Sequence, residues 1–202
     1  MSFLQTLDRK TLLFFQHWWG PRLDVFMIDV SALGGRYVLG LVVLFAFGLL
    51  VCFRRYRTAG FLLAATLSGT FLSWGIKDLI HRARPMNRFP MDQATPIHHY
   101  FLVSANQTYS FPSGHSMLSA VIYLSLALIV AEVLPHRLVR GYIIGSTLVL
   151  VFFIGLSRMY LGVHYFTDVV AGWIVGLLWA LLCRWVEARW VLRKGEGMRD
   201  EG

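Results

Sequence analysis

Two histidines and an aspartate, His115, His164 and Asp168, sit at or just before the start of long apolar runs in this chain, in the company of Lys77, Arg82, Arg84, Arg88 and Arg158. His164 and Asp168 are four residues apart, which makes them neighbours on one face wherever the segment is helical. A carboxylate bonded to one imidazole nitrogen fixes the tautomer and leaves the other nitrogen free to attack an electrophile. The same pair could equally brace a bundle without any chemistry. His115 follows Phe111-Pro112-Ser113-Gly114 and leads directly into an apolar run. Ser113 suits a helix N-cap and Gly114 a turn, and the free N–H groups of a helix start favour an anion. Neither role accounts for a histidine at the head of such a helix. With an unperturbed pKa of about 6.5, His115 could protonate a leaving oxygen.

The cations narrow the chemistry. Lys77 and Arg84 are seven residues apart, two helical turns if the helix continues, and Pro85 cannot sustain it much further. They read either as snorkelling side chains or as a phosphate clamp, in which arginine offers a fixed fork and lysine a point charge. His115, His164 and Asp168 could make a three-ligand metal site. However, Lys77, Arg84 and Arg158 would repel a cation, and an anion fits the company better.

The elements that must position these groups are membrane helices. The chain is 56% hydrophobic and 15% charged over 202 residues, with a mean hydropathy of +0.58, more apolar than a soluble domain of that size. A hydrocarbon core of about 30 Å needs roughly 20 apolar residues in a helix. Runs that meet or approach this occupy 37–53, 58–76 and 141–157, and two more, 113–131 and 164–183, qualify once His115 and Asp168 are admitted. Ionisable groups at that depth are costly and mark a buried polar site. The net charge of +8 does not indicate nucleic acid, because the basic residues mostly separate the apolar runs. Arg54, Arg55 and Arg57, then Arg137 and Arg140, then Arg184, Arg189, Arg193 and Lys194 mark three cytoplasmic places. The polar cluster therefore falls at the opposite, outward ends of the helices. Cys52 and Cys183 lie in or at the end of apolar runs and indicate no disulfide framework.

The expected fold is all-α, a polytopic transmembrane bundle of five to six spans over 36–186, preceded by an interfacial segment over 1–35 and followed by a cytoplasmic tail over 187–202. Residues 12–19 read neither as a signal peptide nor as a span. From Pro21, Leu23, Phe26, Met27 and Val30 define an apolar helical face with Asp24 and Asp29 off it, Gly34-Gly35 ends the helix, and Trp18 and Trp19 suit headgroup anchors. A degenerate sixth span is the alternative. The proline-bearing stretch 81–110 is a long loop in which Arg88, Asp92, His98 and His99 could contact a substrate headgroup.

Lys77-x6-Arg84-Pro85, Pro112-Ser113-Gly114-His115 and Ser157-Arg158-x5-His164-x3-Asp168 resemble, in order and spacing, the three-part signature of the type 2 phosphatidic acid phosphatase superfamily, over roughly residues 35 to 185. The resemblance implies a metal-independent lipid phosphate or diphosphate phosphatase without a cofactor. It makes His164 the nucleophile that becomes a phosphohistidine, Asp168 its orienting carboxylate and His115 the acid for the departing group. Lys77, Arg84, Ser113, Gly114 and Arg158 would bind the phosphate oxygens. Candidate substrates are undecaprenyl diphosphate, phosphatidylglycerophosphate, phosphatidic acid or a lipid A phosphate, met at the outer face of a bacterial cytoplasmic membrane. Two competitors are a non-catalytic binding or transport protein for lipid phosphates and a vanadate-dependent haloperoxidase. The first would need only the cations, and the second is a soluble class at odds with five apolar runs.

Overall fold

The computed structural model describes residues 3–85 and 109–197, with side chains described to residue 189. Among the described residues there are seven helices and no strand: α1 (Phe3–Gln16), α2 (Pro21–Leu33), α3 (Arg36–Cys52), α4 (Tyr56–Ile80), α5 (Gly114–Val133), α6 (Arg137–Tyr160) and α7 (Phe166–Gly197). The five apolar runs correspond to α3 through α7. Four helices, α4, α5, α6 and the first part of α7, are long and apolar enough to cross a membrane. A fifth span arises if α2 and α3, bent by 43° at their junction, are taken as one. The all-α polytopic bundle expected from the runs is what the chain forms.

α5 is the central helix. It packs against α7, α6, α4 and α3, and Met117, Ala120 and Val121 along it are fully covered. Lipid tails are as apolar as leucine, so such helices gain most from close packing of small residues. Gly172 and Gly176 of α7 supply it. A Cβ at Gly172 would lie 2.8 Å from the carbonyl oxygen of Ser113, and one at Gly176 would lie 2.5 Å from that of Met117. Side chains there would force α7 off α5.

The N-terminal segment departs from the amphipathic pattern read in the sequence. Met27 is buried in a cluster with Tyr160, Leu161 and Val163, and Leu23 packs on it. Phe26, however, is exposed, whereas Asp24, expected off the apolar face, is 1% exposed. The Tyr160 hydroxyl donates to Asp24 at 2.6 Å, and the Gly20 N–H donates to it at 3.3 Å. Trp19 is likewise turned inward, its indole N–H donating to the Tyr160 carbonyl at 2.8 Å. α1 exposes Phe3, Leu4, Leu13 and Phe14 beside Gln5, Arg9 and Lys10, and carries Asp8 inward at 2% exposure. A buried carboxylate is retained where donors meet it, as the Tyr160 hydroxyl and the Gly20 N–H do for Asp24, while Asp29 stays exposed as expected.

Candidate active site

The α6–α7 connection carries the central histidine. Gly162 takes a positive φ of 68°, open to glycine at little cost. The turn is bonded back to α6 from Leu161 N–H to Ser157 and from Val163 N–H to Arg158. Leu161 and Val163 are fully covered, so the backbone on either side of His164 is pinned. α7 begins only at Phe166. His164 therefore precedes the helix, and its expected sharing of one helical face with Asp168 is corrected: the residues meet because the loop folds over the first turn.

His164 is 2% exposed. Its Nε2 lies 3.2 Å from Arg84 Nη1, and its Nδ1 lies 3.5 Å from Asp168 Oδ2 without a made hydrogen bond. Guanidinium is only a donor, so Nε2 carries the lone pair and the ring proton sits on Nδ1, facing the carboxylate. Burial, reinforced by the charges of Arg84, Arg158 and Lys77, pushes the His164 pKa well below its ordinary value and keeps the ring neutral.

Asp168 is fully buried and stands third in α7. Its Oδ2 accepts from the Tyr165 N–H at 3.0 Å, the return half of a capping box. The Ser110 hydroxyl also donates to Oδ2, and Arg82 Nη1 donates to Oδ1 at 2.5 Å. Its backbone carbonyl accepts from the Ser113 N–H at 3.0 Å. Ser113 is the N-cap of α5, its hydroxyl accepting from Ser116 N–H, so the heads of α5 and α7 are joined with Gly114 and His115 beside them. His115 is half-buried, with the α2–α3 junction at Gly34 against its ring.

The cations arrive from three directions. α4 ends at Ile80, with His81 in a left-handed conformation, so Lys77 and Arg84 do not share a continued helix as the seven-residue spacing suggested. They converge nonetheless. Lys77 donates to the carbonyls of Tyr109 at 2.9 Å and Pro112 at 2.7 Å. Arg84 donates to Val163 O at 2.9 Å, and burial lowers its pKa. Arg158, 6% exposed, donates to the Ser31 hydroxyl at 2.5 Å while its Nε has no hydrogen-bond partner. Arg88, Asp92, His98 and His99 lie outside the described residues.

All eight residues singled out for catalysis or phosphate binding thus gather at one end of the bundle. Sequence reasoning missed Asp8, Ser31 and Ser110, and it gave Arg82 no role. Asp8 and Ser31 carried no signal, because their partners lie 74 or more residues away in the chain.

Fold and site together define a multi-pass helical membrane protein whose polar end holds an uncharged histidine above a cluster of cations, an arrangement suited to a tetrahedral oxyanion. The family model of the PAP2 superfamily matches residues 58–191. Phosphatidylglycerophosphatase B of Bacillus subtilis is 33% identical over 181 residues, covering 86% of this chain and 78% of that protein. The undecaprenyl-diphosphatase of Sulfolobus acidocaldarius is 29% identical over 177 residues, covering 87% and 76%. A crystal structure of a PAP2-type phosphatidylglycerolphosphate phosphatase from Bacillus subtilis superposes with a TM-score of 0.78 at 26% identity, over 94% of this chain and 88% of that one. The chain belongs to the PAP2 superfamily. It is a membrane phosphatase.

Proposed function

We propose that the protein hydrolyses the phosphate ester or diphosphate of a membrane lipid through a phosphohistidine at His164, without a metal ion. The observation that carries this is the pose of the His164 ring, with its lone pair on Nε2 toward Arg84 and its proton toward Asp168. An incoming phosphate takes over the Arg84 contact and meets Nε2. The N–P bond forms as the P–O bond to the leaving group breaks, and His115 gives that oxygen its proton. Asp168 stabilises the positive charge that grows on the ring. Water then attacks phosphorus, the N–P bond breaks, and the water proton returns to His115. Lys77, Arg84 and Arg158, with the α5 head at Ser113 and Gly114, hold the phosphate oxygens, and they act most strongly on charge developed in the transition state. The buried Arg158 Nε without a partner suits an anion.

The lipid nature of the substrate is supported by relatives that act on phosphatidylglycerophosphate and undecaprenyl diphosphate by name. It is supported also by an apolar groove of about 420 Å³ between α1, α6 and α7, lined in part by Phe14, Phe152, Leu156, Met159 and Trp173. The test offers purified protein a panel of lipid phosphates and diphosphates with a chelator present. Hydrolysis should persist with the chelator and be abolished by His164→Ala in protein that remains monodisperse. Activity retained in that variant would sink the nucleophile assignment.

A further inference from the structure

Asp8 has no place in the mechanism above and lies outside the residues matched by the family model, yet it is the most heavily bonded side chain of α1. It is 2% exposed. Its Oδ1 accepts from the backbone N–H of Thr167 at 2.9 Å and from the Thr167 hydroxyl at 3.0 Å. Its Oδ2 accepts from Arg82 Nη2 at 2.5 Å. The N-cap of α7 is Tyr165, whose side chain cannot reach back to the orphan N–H groups of the first turn. Asp8 fills that role from another helix, 159 residues away.

Arg82 links this cap to the site. One terminal nitrogen serves Asp8 and the other serves Asp168 Oδ1 at 2.5 Å and Thr167 Oγ1 at 2.6 Å. The guanidinium lies over the Tyr165 ring, 4.2 Å from its centroid. One planar fork is thus shared between two buried carboxylates, and the second of them presents its other oxygen to His164 Nδ1. A guanidinium shared in this way withdraws less from each carboxylate than it would from one alone.

We propose that Asp8 is a positioning residue for phosphoryl transfer: by capping α7 and sharing Arg82, it holds the Asp168 carboxylate in place and leaves it negative enough to support the His164 ring. This rests on His164 being the nucleophile. Loss of the Asp8 charge turns the whole of Arg82 onto Asp168, weakens that carboxylate as a partner for the Nδ1 proton, and frees the α7 head to shift. The substrate's contacts with Lys77, Arg84 and Arg158 are untouched, so the effect falls on turnover and not on binding.

The experiment uses the full chain purified in detergent, with a short-chain phosphatidic acid in mixed micelles as the probe. Asp8→Asn should lower kcat by roughly tenfold with KM within about twofold of the parent. Arg82→Gln, which strips both carboxylates of the bond that holds them, should also lower kcat, and the double variant should fall short of the product of the two single effects, since the shared linkage is lost only once. Leu12→Ala, which removes a buried apolar contact of the same helix without touching the network, should lower the melting temperature and leave kcat unchanged. Wild-type kcat in Asp8→Asn, multiplying effects in the double variant, or a kcat loss in Leu12→Ala equal to that in Asp8→Asn would each overturn the proposal. If Asp8→Asn does not give monodisperse protein, Arg82→Lys decides: it keeps the charge but cannot fork to both carboxylates, and unchanged kcat in it is fatal to the idea. His164→Ala runs alongside. Activity retained there overturns the function itself, whereas an inactive His164→Ala beside a fully active Asp8→Asn overturns this inference alone.

Discussion

His164, the proposed nucleophile, is kept uncharged by burial and by the cations around it. Its pKa in the folded protein is depressed, first by burial and then by Arg84, Arg158 and Lys77, from an ordinary value of about 6.5. As pH falls through that value the ring stays neutral, so the acid limb of a kcat/KM profile, where it reports this group, should lie below pH 6.5. A titration of kcat/KM on one lipid phosphate checks this, and half-maximal loss at or above 6.5 on the acid side would contradict it. The same depression couples to folding. In the unfolded chain the histidine gains a proton first, so its contribution to stability is fully present above about 6.5 and is lost as pH falls toward the folded value. The candidate residue types stood out at this scale, since a histidine and an aspartate in apolar runs beside three cations suit few other chemistries. The hydrogen bonds of Asp168 were not, because Arg82, Ser110 and Tyr165 reach it only when loop, α4 end and α7 head are folded together.

Among the elements, α5 and α7 bear the geometry. Their contact runs along Gly172 and Gly176, where a side chain would strike backbone carbonyls of α5 and not a flexible tip. Gly176→Ala should cost roughly 1–3 kcal/mol by overpacking, toward the upper end because backbone cannot yield. Gly172→Ala, which presses on Ser113, should in addition lower kcat. Gly141→Ala meets nothing within 4 Å at its Cβ and should leave both properties unchanged. Thermal unfolding in detergent and steady-state turnover of the three variants check these outcomes; equal stability of Gly176→Ala and Gly141→Ala would contradict the packing account. The five apolar runs predicted α3 through α7 to within a few residues at most ends, because a span's length is set by the bilayer. No helix was expected over α1, and the burial of Asp24 in α2 was not legible because its partner Tyr160 lies 136 residues away in the chain.

For the whole molecule, chain direction separates two kinds of charge. α4 and α6 enter from the ends marked by Arg54, Arg55 and Arg57 and by Arg137 and Arg140, and both run toward the site, while α5 and α7 start there and run back. At the opposite end Arg184 is paired with Glu132 and Glu187. On the positive-inside rule we propose that this end is cytoplasmic and that the site faces outward. In a variant lacking Cys52 and Cys183, a single cysteine at Tyr109 should react with a membrane-impermeant thiol reagent on intact spheroplasts. One at Arg55 should react only after permeabilisation, and the reverse pattern would invert the topology.

The sequence alone pointed to a bundle of membrane helices, to polar residues gathered at one end, and to three spaced motifs read as a nucleophile, an acid and a phosphate clamp. These are properties of composition and local spacing, which bilayer thickness and the helical repeat convert directly into position. The tertiary structure decided that His164 stands on a loop ahead of α7, with Nε2 toward Arg84 and Nδ1 toward Asp168. It also decided that Ser31 of α2 meets Arg158 and that Asp8 of α1 caps the helix that follows His164. The last two depend on contacts between residues more than a hundred positions apart, for which a single sequence carries no periodicity and no motif.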